Sequence, residues 1–140
     1  MDLYAEHILD HYRSPRRKEL LGHASVEHEE KNAACGDSCK LQLHVENGVI
    51  AEVGWQGEGC AISQAGMSML AEELAGMSVD DASQLESTQM LTMLGVPIGP
   101  RRMKCALLGL HTLKNSFHLL AGAKMQSWTE TVKDGAARGN

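Results

Sequence analysis

The sequence predicts an α+β domain: a small antiparallel three-stranded sheet with helices packed on one face. Three observations predict it. Cys39, Leu41, Leu43 and Val45 alternate with polar residues, Asn47-Gly48 supplies the positive φ angles of a type I′ turn, and Val49, Ala51, Val53 and Trp55 alternate on the way back. Two apolar runs at helical spacing follow, through Ile62, Gly66, Met69, Leu70 and Leu74 and through Ala106, Leu110, Leu113, Phe117 and Leu120. Strands followed by helices segregate into a sheet layer and a helix layer, and 140 residues suit one domain.

The elements follow in order. Tyr4, Ile8, His11 and Tyr12 share one side of a helix over residues 2–13, which Ser14-Pro15 ends because proline cannot continue a helix. Residues 25–30 hold Val26 as their one strong β-former and are assigned the first strand. After the hairpin, Gly57-Glu58-Gly59-Cys60 breaks the chain, so Cys60 stands where a helix begins, and Gly76 closes that helix. Ser78 caps an acidic first turn, Asp80-Asp81, and residues 78–93 form one or two short helices. Pro97 and Pro100 exclude a continuous helix before Arg101, where the last long helix starts; it ends near Gly122, and Cys105 lies in its first turn or two. The domain is expected over residues 1–123, with residues 124–140 a polar, frayed or partner-dependent tail anchored only by Trp128.

Composition removes several function classes. A net charge of −5 repels a phosphate backbone, and one Phe, two Trp and two Tyr leave no base-stacking surface, so nucleic acid is not an expected partner. No stretch approaches a membrane span, and Met1 to His7 has neither a basic leader nor an apolar core, so the expectation is a soluble cytoplasmic protein without membrane contact. In a reducing compartment the four cysteines serve metals or redox chemistry before disulfides.

Three of them sit in comparable settings: Ala34-Cys35-Gly36-Asp37 before a strand, Gly59-Cys60 before a helix, and Lys104-Cys105 at another helix start. Element ends gather at one rim of a small domain, and helix N-termini favour the thiolate form that binds metal or attacks sulfur; Arg102 and Lys104 add to that bias at Cys105. Zinc or ferrous iron takes four ligands, and Asp37 is the candidate fourth beside Cys35, Cys60 and Cys105. A carboxylate binds a thiophilic ion less firmly than a thiolate, leaving one exchangeable corner. No C-x-x-C pair occurs, and spacing alone leaves open that these are buried cysteines of an ordinary core.

Ile8-Leu9-Asp10-His11-Tyr12 with Pro15-Arg16, Ala34-Cys35-Gly36-Asp37, Gly57-Glu58-Gly59-Cys60-Ala61-Ile62-Ser63 and Arg102-Met103-Lys104-Cys105-Ala106 together resemble the U-type iron-sulfur scaffold family over residues 3–120. The resemblance implies a metal or transient iron-sulfur cluster site at Cys35, Asp37, Cys60 and Cys105, commonly holding zinc. It also implies sulfur accepted from a cysteine desulfurase and clusters passed to apo-protein acceptors, the work of a scaffold or sulfur acceptor and not of a stand-alone enzyme. Cys35 and Cys105 become the candidate sulfur acceptors, and Lys104 an auxiliary that could hydrogen-bond Asp37 or a bound sulfide. Lys104 before the third cysteine, with Gly99-Pro100-Arg101-Arg102 upstream, is nearer the Suf-type branch, whose members hold zinc tightly and stimulate their desulfurase, although the stretch from Cys60 to Cys105 lacks that branch's insertion.

Other residues are expected to be structural. Cys39 shares the parity of Leu41 and Leu43 and should face the core. His7 and His11 stand four apart without a third ligand nearby, and His111, six residues beyond Cys105, falls off its face of the helix. Met67, Met69, Met77, Met90 and Met93 read as core filler, and Arg16-Arg17-Lys18 as a solvated basic loop.

Overall fold

The computed structural model describes residues 3–138, and the side chains of residues 6–133. Its elements are α1 (Leu3–Arg13), β1 (Val26–Asn32), β2 (Asp37–Glu46), β3 (Val49–Glu58), α2 (Ala61–Leu74), α3 (Val79–Ser83), α4 (Ser87–Leu94), a 3₁₀ turn (Pro100–Arg102), α5 (Met103–Leu120) and α6 (Trp128–Arg138). The strands form one antiparallel sheet in the order β1-β2-β3, so the α+β expectation holds. Tyr4 lies in the first turn of α1, and its side chain is outside the described residues.

The hairpin turns as its sequence dictates: Asn47 and Gly48 take φ of 51° and 75°, the paired positive angles of a type I′ turn. Cys39, Leu41 and Leu43 on β2 and Val53 and Trp55 on β3 are buried, with Leu41 opposite Trp55 and Leu43 opposite Val53. Alternation along β3 breaks near the turn. The register slips at His44/Val45, so that Val45 pairs with Ile50 and Ala51 is skipped, a β-bulge that reverses the facing of the first residues of β3. Ile50 is therefore buried, whereas Val49 and Ala51, expected inward from sequence, are exposed.

Helices α2 and α5 cover the apolar face of the sheet; Met67 and Met90 fill the core against it, and Met69 packs in a second cluster with Ile8 and Leu94. The two helices meet closely because small residues face each other: a Cβ on Gly109 would stand 2.9 Å from Met67 Sδ, and one on Gly66 would stand 3.4 Å from the Ala106 carbonyl oxygen. That approach matters for function, since Cys60 precedes α2 and Cys105 lies in the first turn of α5. On the opposite face, the loop after α1 crosses at Gly54, where a side chain would collide with the Glu19 carbonyl.

The segment after Gly122, expected to be frayed or partner-dependent, carries α6 packed on α4 and α5. Trp128 stacks on His111 with ring centroids 4.0 Å apart, and His111 Nδ1 lies 2.6 Å from the hydroxyl of the fully buried Thr131. His111 is thus committed to packing, away from any ligand role, and His11 likewise is buried with Nδ1 2.8 Å from Ser68 Oγ.

Replacing Gly109 by Val would force the two helices apart, since branched carbons would meet Met67 and Leu70. We predict a loss of about 1–3 kcal/mol in urea unfolding with helix content retained. A loss below about 0.5 kcal/mol would show that the crossing is not tightly packed.

Candidate metal centre

The centre is assembled from a turn, a strand start and two helix starts. Cys35 sits in the turn between β1 and β2, where its N–H donates to the Asn32 carbonyl at 3.2 Å and Gly36 takes a φ of 72°. Asp37 opens β2, opposite Asn32 in the ladder. Cys60 is the N-cap of α2 and spends no side-chain bond on capping. Cys105 enters from α5, through the close crossing described above.

One ligand atom each from Cys35, Asp37 and Cys105 lie within 4.8 Å of one another, a grouping able to hold a metal ion and the one such cluster among the described residues. The sulfur of Cys60 falls outside that tight group. Its backbone is nonetheless tied to it, because the Cys60 N–H donates to Asp37 Oδ1 at 3.1 Å. Cys35 and Cys60 are exposed, whereas Cys105 is 3% and Asp37 2% exposed.

Asp37 is the most informative member. Its Oδ1 accepts from Cys60 and, at 3.4 Å, from the Ser63 hydroxyl, but Oδ2 is buried with no hydrogen-bond partner. Burying a carboxylate oxygen without a partner is costly unless a cation completes it. Gly59, at φ 147°, is required here, since any side chain would strike the Asp37 carboxylate and Ser63. Two thiols grouped with a buried carboxylate that has one oxygen unpartnered fit a thiophilic divalent ion with mixed ligation.

The electrostatics correct one expectation. A helix start flanked by Lys104 and Arg102 should favour a Cys105 thiolate, yet burial pushes this thiol well up, and the neighbouring Asp37 carboxylate, Cys35 sulfur and Cys60 add to the rise. Nor is Lys104 aimed at Asp37: it is exposed, with Nζ 5.8 Å from the ring centroid of Trp128. Cys39, as its parity implied, is a core thiol, pushed by burial to about 12.

Reading the sequence missed Asn32 and Ser63 as parts of the site. Ser63 donates to Asp37 and, at 3.0 Å, to the Cys60 carbonyl, while Asn32 Nδ2 reaches Cys105 Sγ at 3.7 Å. Neither has a periodicity that would mark it; proximity to Cys60 and Cys35 in the chain was the available signal.

Fold and cluster together define a small α+β domain that carries a cysteine and aspartate centre at its rim. The comparisons make the class specific: the family model described as the NifU-like N terminal domain matches residues 3–125, and this chain belongs to that family. It is 33% identical over 130 residues to the iron-sulfur cluster assembly scaffold protein IscU of Thermotoga maritima, covering 81% of this chain and 92% of that protein. It is 30% identical over 129 residues to the zinc-dependent sulfurtransferase SufU of Bacillus subtilis, covering 80% and 87%. Among solved structures, a protein from Fervidobacterium islandicum described as a putative iron-sulfur cluster assembly scaffold for the SUF system superposes with a TM-score of 0.70 at 27% identity, covering 79% of this chain and 93% of that one. No helix among the described residues is long and apolar enough to cross a membrane.

Asp37 and Cys105 each lend themselves to measurement. Asp37→Asn keeps the Oδ1 acceptor but removes buried charge, so the metal-free variant should be more stable by about 1 kcal/mol while its zinc affinity falls. Equal or lower stability in metal-free melts would contradict the unpaired-carboxylate reading. For Cys105, the folded thiol keeps its proton above the ordinary value of 9.0. The metal-free protein therefore loses stability as pH rises above 9, whereas metal affinity rises with pH, by about tenfold per unit for each thiol proton displaced. Chelator competition at pH 6.5, 7.5 and 8.5 reads the second effect; a flat profile would exclude Cys105 as a ligand.

Proposed function

We propose that this protein is an iron-sulfur cluster assembly scaffold, using Cys35, Asp37, Cys60 and Cys105 to hold iron and sulfide, or zinc, and taking sulfur from a cysteine desulfurase. The single observation that carries the reading is the grouping of the Cys35 and Cys105 sulfurs with the buried Asp37 carboxylate, whose Oδ2 has no hydrogen-bond partner. Cys60, tied through its amide to the same carboxylate, completes a set of three thiols and one carboxylate. When bound, such an ion keeps its thiol ligands deprotonated.

Cys35 and Cys60 are exposed, whereas Cys105 is buried. Of the two candidate sulfur acceptors, Cys35 and Cys105, Cys35 is therefore the accessible one. In the transfer step the Cys35 thiolate attacks the outer sulfur of the desulfurase persulfide. A new sulfur-sulfur bond forms at Cys35 as the old one breaks, and the desulfurase cysteine leaves as thiolate with no net redox change. The exposed Lys104 is positioned to meet the incoming donor rather than to brace Asp37. Four free cysteines support a reducing, cytoplasmic setting, and apo-proteins are the acceptors of the finished cluster.

A second reading has its own support. Lys104 before the third cysteine and the similarity to a zinc-dependent sulfurtransferase favour a zinc-loaded activator of a Suf-type desulfurase that never builds a cluster.

Anaerobic reconstitution with iron and sulfide separates the two. The scaffold reading predicts a cluster chromophore that transfers to apo-ferredoxin and is lost in Cys35→Ala. A zinc form that resists reconstitution but raises desulfurase turnover would replace it with the second reading.

A further inference from the structure

Asn32 closes β1 and is 4% exposed, a position at which a polar side chain must find a partner. Its Nδ2 lies 3.7 Å from Cys105 Sγ, a distance suited to an N–H donor and the large sulfur atom, and both groups are buried. The same residue fixes the other two members of the cluster through its backbone. Its carbonyl accepts the Cys35 N–H at 3.2 Å, and it faces Asp37 across the ladder. One asparagine thus adjoins all three groups that lie within 4.8 Å of one another.

The two halves of that arrangement differ in chemistry. The backbone half shapes the turn, which any residue able to follow the strand could do. The side-chain half is specific, because sulfur without its proton can only accept, and an amide nitrogen is a donor that needs no titration of its own. A hydrogen bond to a charged acceptor is roughly twice as strong as one to a neutral acceptor, so an amide N–H at this distance suits a sulfur that serves as a metal ligand.

We propose that Asn32 is a positioning residue of the centre: its amide N–H hydrogen-bonds to the Cys105 thiolate, strengthening ion binding and reducing the electron density that this sulfur donates to the bound ion. The inference rests on the reading of Cys105 as a ligand, and its test distinguishes the two. Cobalt(II) replaces zinc as the probe, because its thiolate charge-transfer band reports on the sulfur donor directly.

Wild type, Asn32→Asp and Asn32→Ala are loaded with cobalt(II), with far-ultraviolet circular dichroism of the metal-free forms as the folding control. Both variants are expected to bind cobalt about 10–100-fold more weakly, the cost typical of removing a hydrogen bond that supports a metal ligand. Their charge-transfer bands should also move to lower energy, which a purely structural turn residue would not cause. Bands unchanged in energy with affinities within twofold of wild type overturn the proposal. A Cys105→Ser protein whose thiolate charge-transfer band is as intense as that of wild type removes Cys105 as a ligand, and with it the reading beneath the proposal. Should both variants fail to fold, cadmium-113 loaded into wild type decides the matter: scalar coupling between the cadmium nucleus and an Asn32 amide proton is expected, and its absence in a thiolate-ligated spectrum overturns the proposal.

Discussion

A carboxylate buried with one oxygen bare is the constraint on which this molecule turns. Asp37 cannot leave the interior, because it opens β2 in register with Asn32, and Oδ1 is held by the Cys60 amide and Ser63. Oδ2 is then left without a hydrogen-bond partner in a carboxylate grouped with the sulfurs of Cys35 and Cys105. Elsewhere among the described residues buried side-chain polar atoms are matched, as His111 is by Thr131 and Asn115 by the main chain of Gln126. The structure tolerates this one mismatch where a cation would relieve it, the pattern expected when stability is surrendered for a site.

Holding that mismatch in place requires the rest of the domain. The candidate ligands belong to a turn, a strand start and two helix starts. The sheet supplies Cys35 and Asp37 in fixed register, and the glycine-lined crossing of α2 and α5 brings the ends of those helices to the same rim. Packing far from the sulfurs therefore acts on the geometry at the sulfurs, by a route of direct contacts. Exposure is graded across the centre, with two accessible thiols in front of a buried thiol and carboxylate, which suits a site that both retains an ion and trades sulfur with a partner.

Much of this was legible in the amino-acid order. Asn47-Gly48 dictated its turn, the apolar runs their helices, and the parity of Cys39 its place in the core, because each rests on local backbone preference or on strand and helix periods. The resemblance identified the four candidate ligands, and the structure brings three of them into one cluster with the fourth tied by its backbone. What escaped notice depended on longer-range geometry. The bulge at Ala51 exchanges Ile50 for Val49 in the core, and α6 is held by a stack on His111 and a buried threonine that composition does not reveal. The helix start and two cations beside Cys105 are visible in sequence, whereas the burial that raises its thiol in the metal-free protein is not.

Function here comes down to one coordination sphere, and X-ray absorption at the zinc edge probes it without relying on activity. Zinc-loaded protein should show about three sulfur neighbours at roughly 2.3 Å and one oxygen neighbour at roughly 2.0 Å, with the oxygen shell altered in Asp37→Ala. A spectrum of four light atoms, or of four sulfurs that includes Cys39, would contradict the role of Asp37 as the oxygen ligand of a thiolate-bound ion.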